Sequence, residues 1–153
     1  DCLLSRGLGD VYKRQALEFI YSTDYSLSNE KLHSDWIINV VLSENFHVGN
    51  VVFAFFDDQE VKKLNKKFLN KNYYTDVISF DESRDRLING NIAISVDRVK
   101  ENAINFKCTF PDEMRRVMVH GLLHFMGYND QNEESIKIMR KKENEKIKMF
   151  HVE

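Results

Sequence analysis

Two histidines one helical turn apart, followed by a glycine and then a carboxylate, constrain this chain more than any other feature. The stretch reads His120-Gly-Leu-Leu-His124-Phe-Met-Gly127-Tyr-Asn-Asp130. On an α-helix, side chains at i and i+4 share a face, with Cβ atoms roughly 5–6 Å apart, so both rings can reach one metal ion. Gly127 suits the left-handed residue that ends a helix and turns the chain back. Asp130 can then return from the loop as a third ligand. Three protein ligands plus an open position describe a catalytic zinc site rather than a closed structural one. His-x-x-x-His alone also fits a half-buried polar pair without metal. Gly121 weighs on the metal side, because a mid-helix glycine costs about 1 kcal/mol relative to alanine and so implies a packing or access requirement. The same glycine argues against a zinc protease. Helices of the His-Glu-x-x-His type use the glutamate as general base, and Gly121 has no side chain to take a proton.

The pattern around this helix alternates strands and helices. Residues 16–21 read as a strand. Asn29 to Leu42 carries a helical stripe of Leu32, Trp36, Ile37, Val40 and Val41. The apolar run Val51–Phe56 reads as a buried strand. Asp57 and Glu60 are read as caps that open a helix to about Leu69, with Val61, Leu64 and Phe68 as its core face. Val77–Phe80 and Asn91–Val96 read as two more strands across a polar turn, Asp81–Gly90, and a short helix follows from Asp97 to about Phe106. Thr109, Pro111, Asp112 and Glu113 suit the start of the histidine helix. That helix is apolar on many sides (Met114, Val117, Met118, Leu122, Leu123, Met126), which predicts a central, buried position. A last, lysine-rich helix from about Glu133 to Phe150 offers Ile136, Met139, Ile147 and Phe150 as contacts. The expected fold is α+β: a small mixed sheet of about four strands packed with about five helices, with a central metal-binding helix as in zincins.

Length predicts one domain, residues 16–153. Asp1–Gln15 reads differently. Asp10-Val-Tyr-Lys-Arg-Gln15 back-translates as the mosaic end of a transposon adapter used in sequencing libraries, so this segment is set apart as an adapter remnant or a disordered extension. Without it the chain has 19 basic and 22 acidic side chains, and no global positive field advertises nucleic acid. Any RNA contact must be local. Lys62, Lys63, Lys66, Lys67 and Lys71 are the candidates; a solvated helix face is the plainer reading of the same residues, and of the lysines of the last helix. Cys108 is then the only cysteine, which excludes a disulfide framework and fits a reducing compartment. No apolar run approaches the ~20 residues that span a bilayer. His33 and His47 fall on predicted surface or loop, and His151 in the tail; none has ligand-like spacing.

Taken together, the motifs resemble the YbeY family of bacterial endoribonucleases. The residues that carry the resemblance are His120-Gly-Leu-Leu-His124, Gly127-Tyr128, Leu64-Asn65, Thr75-Asp-Val-Ile-Ser-Phe80 and Gly90-Asn-Ile92, in family order over roughly Leu17 to Phe150. The resemblance implies a cytoplasmic bacterial enzyme, no membrane, and one Zn2+ per chain held by His120, His124 and Asp130. It further implies metal-dependent cleavage of single-stranded RNA in maturation of small-subunit (16S) ribosomal RNA and in ribosome quality control. Ribosomal RNA and the small ribosomal subunit are the implied partners, and no oligomeric state follows. Three departures stand out. The family's third ligand is a histidine where this chain has Asp130, and two histidines with one carboxylate form an accepted zinc set. The family's basic residue after Leu-Asn, commonly arginine, is Leu69 here. Lys71 is the candidate to supply nearby charge, without the bidentate grip of a guanidinium. The family's aspartate after Gly90 is Asn91. No general base is evident, and Thr75 and Asp76 fit either a site role or a local turn. The alternative from another class is a non-catalytic, zinc-containing ribosome-assembly factor.

Overall fold

The computed structural model describes residues 17–151; the Asp1–Gln15 segment lies outside them. Four strands and five helices are present among the described residues: β1 Leu17–Tyr21, α1 Glu30–Ser43, β2 His47–Phe56, α2 Asp58–Leu69, β3 Val77–Asp81, β4 Leu87–Ser95, α3 Val96–Phe106, α4 Phe110–Phe125 and α5 Glu133–Ile147. The fold is α+β, as expected. The sheet is mixed, in the order β1-β2-β4-β3. β1, β2 and β4 run parallel, and β3 pairs antiparallel with β4 at one edge.

Each helix begins where a short polar side chain meets an orphan backbone N–H. Asn29, Asp57, Ser95, Thr109 and Asn132 accept from Leu32, Glu60, Arg98, Asp112 and Ser135 respectively. Ser95 explains one boundary: Val96 opens α3 instead of closing β4, because the hydroxyl turns the chain into a helix. β2 and β4 begin earlier than the apolar runs suggest. Polar Gly49 and Asn50 interrupt β2 at a register shift, and the Asn89 amide oxygen accepts from the Asn50 N–H there.

The main core lies between one face of the sheet and α1, α4 and α5. Phe53, Phe55, Ile92 and Ile94 from the strands meet Trp36, Ile37, Val40, Met114, Met118, Leu122 and Leu123. α4 is central, as its composition predicts. The other face carries a smaller cluster, Val61, Ile78 and Ala93, under α2. Leu64 packs half-buried against this cluster as expected, but Phe68 is 57 % exposed, because Asn65 takes the fully inward position. Its amide donates to the Tyr73 carbonyl, its own carbonyl accepts from Lys71, and Asn70 adopts φ +56°. The Leu-Asn pair thus folds the 70–76 segment back along α2.

α5 also differs from expectation. It ends at Ile147, Ile136 is exposed, and Phe150 packs beyond the helix end against Trp36 and His33. The stripe that faces inward is Met139, Glu143 and Lys146, so this lysine is not solvated. His33 is likewise buried rather than on the surface. Its Nδ1 donates to the Asn29 carbonyl, and burial pushes its pKa below the ordinary histidine range.

Gly121 has the packing reason its position suggests. A Cβ there would stand 2.9 Å from Cγ2 of Ile92, a fully buried β4 side chain. α4 can approach the sheet this closely only with no side chain at that turn. Gly121→Val is expected to cost about 1–3 kcal/mol of stability through overpacking, read from urea denaturation of metal-free protein. A variant as stable as wild type would show that the contact is not limiting.

Candidate metal centre

His120 and His124 lie on the last two turns of α4, and Asp130 returns from the loop before α5. Gly127, at φ +99°, makes that return possible. The three residues bring one ligand atom each within 4.8 Å of one another. The two Nε2 atoms are 3.0 Å apart, and Oδ2 of Asp130 lies 3.4 Å and 3.7 Å from them. Exposure rises from His120 to His124 to Asp130, so the group is open on the aspartate side.

The backing of the rings decides what they offer. His124 Nδ1 is 3.0 Å from the Tyr128 carbonyl, which can only accept, so Nδ1 carries the hydrogen. His120 Nδ1 is 2.6 Å from Oε2 of Glu143, whose other oxygen takes the Arg116 guanidinium, so this nitrogen donates as well. Both Nε2 atoms therefore present lone pairs toward each other and toward a carboxylate. Three converging donors of electron density repel unless a metal cation or a shared proton sits among them, so this donor set fits a metal ion. Burial first, then the neighbouring His120, pushes the His124 pKa below the ordinary range against the pull of Asp130. This favours the neutral, metal-binding form. A carboxylate or carbonyl behind each ligating imidazole is the usual outer support of a metal site.

These supports were not foreseen from sequence. Glu143 is 1 % exposed and Glu113 2 %. Arg116 bridges them, bonding both oxygens of Glu113, Oε1 of Glu143 at 3.3 Å and, more distantly, Asp76 at 3.7 Å. The available signal is spacing: Glu113, Arg116 and His120 follow at i, i+3 and i+7 on one face of α4, and Met139, Glu143 and Lys146 follow at i, i+4 and i+7 on one face of α5. A second buried group steadies Tyr128. Its hydroxyl donates to Oε1 of Glu44 at 2.8 Å, while Lys142 and Lys146 donate to Oε2 at 2.9 Å and 2.6 Å. Burial alone would raise the Glu44 pKa, but hydrogen bonds from Lys146, Lys142 and Tyr128 outweigh it and hold the carboxyl down at about 2.

The donors open into a cleft of about 490 Å³ between α4 and the edge strand β3. Leu69, Thr75, Asp76, Ser79 and Asp81 line it with the three candidate ligands. Leu69, 41 % exposed, therefore faces the site where the resemblance expects an arginine. Thr75 and Asp76 border it too. Burial pushes the Asp76 pKa up against the opposing charge of Arg116, and Asn102 donates to its Oδ2 at 3.1 Å. Lys71 is exposed and is not among the residues that line the cleft. Lys62 is half-buried with its ammonium 4.4 Å from the Tyr74 ring centroid, while Lys63, Lys66 and Lys67 are exposed on α2.

Two outcomes follow from this arrangement. Glu143→Gln is expected to weaken zinc binding about 10- to 100-fold in competition with a chromogenic chelator; unchanged affinity would reduce Glu143 to a packing role. Glu44 has a depressed folded pKa, so its stabilising effect is present above the ordinary value of 4.5 and is lost as pH falls toward about 2. The stability gap between wild type and Glu44→Gln should therefore be widest above pH 4.5 and close below it, as measured by urea denaturation across pH. A gap independent of pH would refute the ion-pair account.

Comparison with known proteins agrees with this geometry. The profile of a family described as Endoribonuclease YbeY matches residues 18–151. A relative named Endoribonuclease YbeY from Flavobacterium johnsoniae is 43 % identical over 137 residues, covering 90 % of this chain and 99 % of the relative. One of the same name from Karelsulcia muelleri is 46 % identical over 127 residues, covering 83 % and 90 %. The solution structure of a Thermotoga maritima protein superposes with a TM-score of 0.63 at 25 % identity, covering 88 % of each chain. By the length and the level of these matches, the chain belongs to the endoribonuclease YbeY family.

Proposed function

We propose that this protein is a zinc-dependent endoribonuclease that cuts single-stranded RNA in the maturation of small-subunit ribosomal RNA, with one ion per chain. The observation that carries the reading is the convergence of two Nε2 lone pairs and one carboxylate at the floor of an open cleft, in a chain of this family. His120, His124 and Asp130 would hold the ion. Bound zinc supplies Lewis acidity, either to a phosphoryl oxygen or to water.

The chain's own groups do the remaining work. Glu143 and the Tyr128 carbonyl fix the ring orientations. Asp76 is the cleft carboxyl whose buried setting raises its affinity for a proton, so we assign it the role of holding the proton released by the attacking hydroxyl. Leu69 gives the cleft an apolar wall. The positive charge available to phosphate comes from the lysines of α2 as point charges. The small ribosomal subunit is the expected partner, and the bacterial cytoplasm the expected compartment. No helix among the described residues is long and apolar enough to cross a membrane.

The test uses end-labelled single-stranded ribosomal RNA, with protein chelated and then reloaded with zinc. Cleavage should return with zinc and fall at least about 100-fold in Asp130→Ala and in Asp76→Asn, the second with unchanged zinc content. A 2′,3′-cyclic phosphate on the products would identify the RNA 2′-hydroxyl as nucleophile; a 5′-phosphate would identify water. Absence of cleavage by folded, zinc-loaded protein would sink the enzyme reading and leave an assembly factor that keeps zinc for stability.

A further inference from the structure

Phe68 sits on the helical stripe that should face the sheet, yet it remains 57 % exposed. Its ring meets Phe80 edge-on, with centroids 5.7 Å apart at 78°. The two rings, with Phe56 and Leu64, wall a groove of about 440 Å³ whose lining includes the small side chains Ala54 and Ala93. Asn91 and Glu82, both exposed, add polar groups to the lining. The geometry points to a nucleobase platform. One or two bases of the RNA that enters the metal cleft would stack on Phe68 and Phe80, with the Asn91 amide available to a base edge. This inference rests on the endoribonuclease reading.

Three observations favour bases as the occupant. The first is continuity with the cleft. Phe80 lies between Ser79 and Asp81, and Phe68 precedes Leu69; Ser79, Asp81 and Leu69 all line the metal cleft. Strand alternation sends Phe80 to the opposite face from its two neighbours, and β3 is an edge strand. Only the thickness of one strand separates groove from cleft, so a single strand of RNA crossing that edge reaches both. The second is charge. Helical spacing places Lys67 one turn from Leu64 on α2, and the Lys67 ammonium is 5.2 Å from the Phe68 ring centroid. A cation beside an exposed ring suits a phosphate next to a stacked base. The third is shape. Flat aromatic walls over small alanines admit a planar ring with polar edges, and the Asn91 amide can both donate to and accept from such an edge.

The experiment measures binding by fluorescence anisotropy on full-length, metal-stripped protein, so that no cleavage intervenes. The probes are a labelled 12-nucleotide uridine oligomer and an abasic ribose-phosphate oligomer of equal length. Wild type should prefer the base-bearing oligomer by about tenfold or more. Phe68→Ala should lose most of that preference without weakening abasic binding, and Phe68→Tyr should retain it. Phe80→Leu, which keeps apolar volume, provides a second variant. Equal binding of both oligomers by wild type, or a full preference in Phe68→Ala, would overturn the platform. Zinc-restored cleavage by the same preparation separates the two ideas. Cleavage without base preference defeats the platform and leaves the nuclease standing, whereas neither cleavage nor RNA binding defeats both.

Discussion

The two imidazoles of α4 meet at one point because each has its Nδ1 hydrogen committed behind it. An imidazole free to choose its tautomer and to rotate presents either nitrogen. One that donates to a buried carboxylate or a fixed carbonyl presents only Nε2, in one direction. His120 takes its partner from α5 and His124 takes its partner from the turn that ends α4. The ligand geometry therefore requires α4, the turn and α5 to be assembled first. Tyr128 shows how closely these are joined: its carbonyl orients His124 while its hydroxyl is held by Glu44 at the end of α1. A sequence segment that looks like a simple helix stop is thus fixed at both ends.

The energetic logic of the α4–α5 contact supports the same view. Glu113, Arg116, Glu143 and Lys146 are ionisable groups largely withdrawn from water. Buried ion pairs are poor sources of stability, because desolvation consumes most of the Coulombic gain, and apolar replacements of similar volume are often as stable or more so. The core around Phe53, Phe55, Ile92 and Leu122 supplies the apolar burial that holds the sheet to its helices. What an apolar replacement of Glu143 could not supply is a hydrogen-bond acceptor for His120. Arg116 in turn bonds the other oxygen of Glu143, leaving Oε2 to accept from His120. The same reasoning applies to Lys146, whose ammonium meets Glu44, the Ser43 hydroxyl and Glu145, and through Glu44 bears on Tyr128.

Local chemistry made much of this legible in the sequence. The caps at Asp57 and Thr109, the apolar runs of β2 and β4, the glycine turn at Gly127 and the i, i+4 histidines are all short-range signals, and the structure places them as the spacing implies. The differences share a physical cause. Hydropathy places Phe68 and Ile136 inward and His33 outward, but their burial is decided by neighbours distant in the chain. Asn65 takes the inward position in place of Phe68, and its amide holds the returning 70–76 segment. Glu143 and Lys146 are buried because their partners on α4 and α1 compensate for them, and no hydropathy pattern records a partner. Lys71 illustrates the limit from the other side: proximity in sequence to Leu69 did not carry it into the cleft, since Asn70 turns the backbone away through a left-handed residue.

A chain whose formal charge is negative must place its cations locally if it is to handle a polyanion. α2 does this by periodicity. Lys62 and Lys66 share a flank of the helix with Leu69, which lines the metal cleft, and the Lys67 ammonium lies beside Phe68, which walls the groove. Leu69 at the end of the helix is then not simply a missing arginine. A guanidinium there would grip phosphate in a bidentate manner and would also bring water and a fixed orientation. Leucine instead gives the open cleft an apolar wall with no group to orient a phosphate. Orientation of the substrate must then come from somewhere other than a guanidinium fork. The aromatic groove on the far side of β3 is placed to provide it, since stacked bases fix the path of the backbone that crosses the edge strand. On this view the apolar wall and the exposed phenylalanines form one arrangement, in which positioning passes from a charged grip on phosphate to contacts with bases.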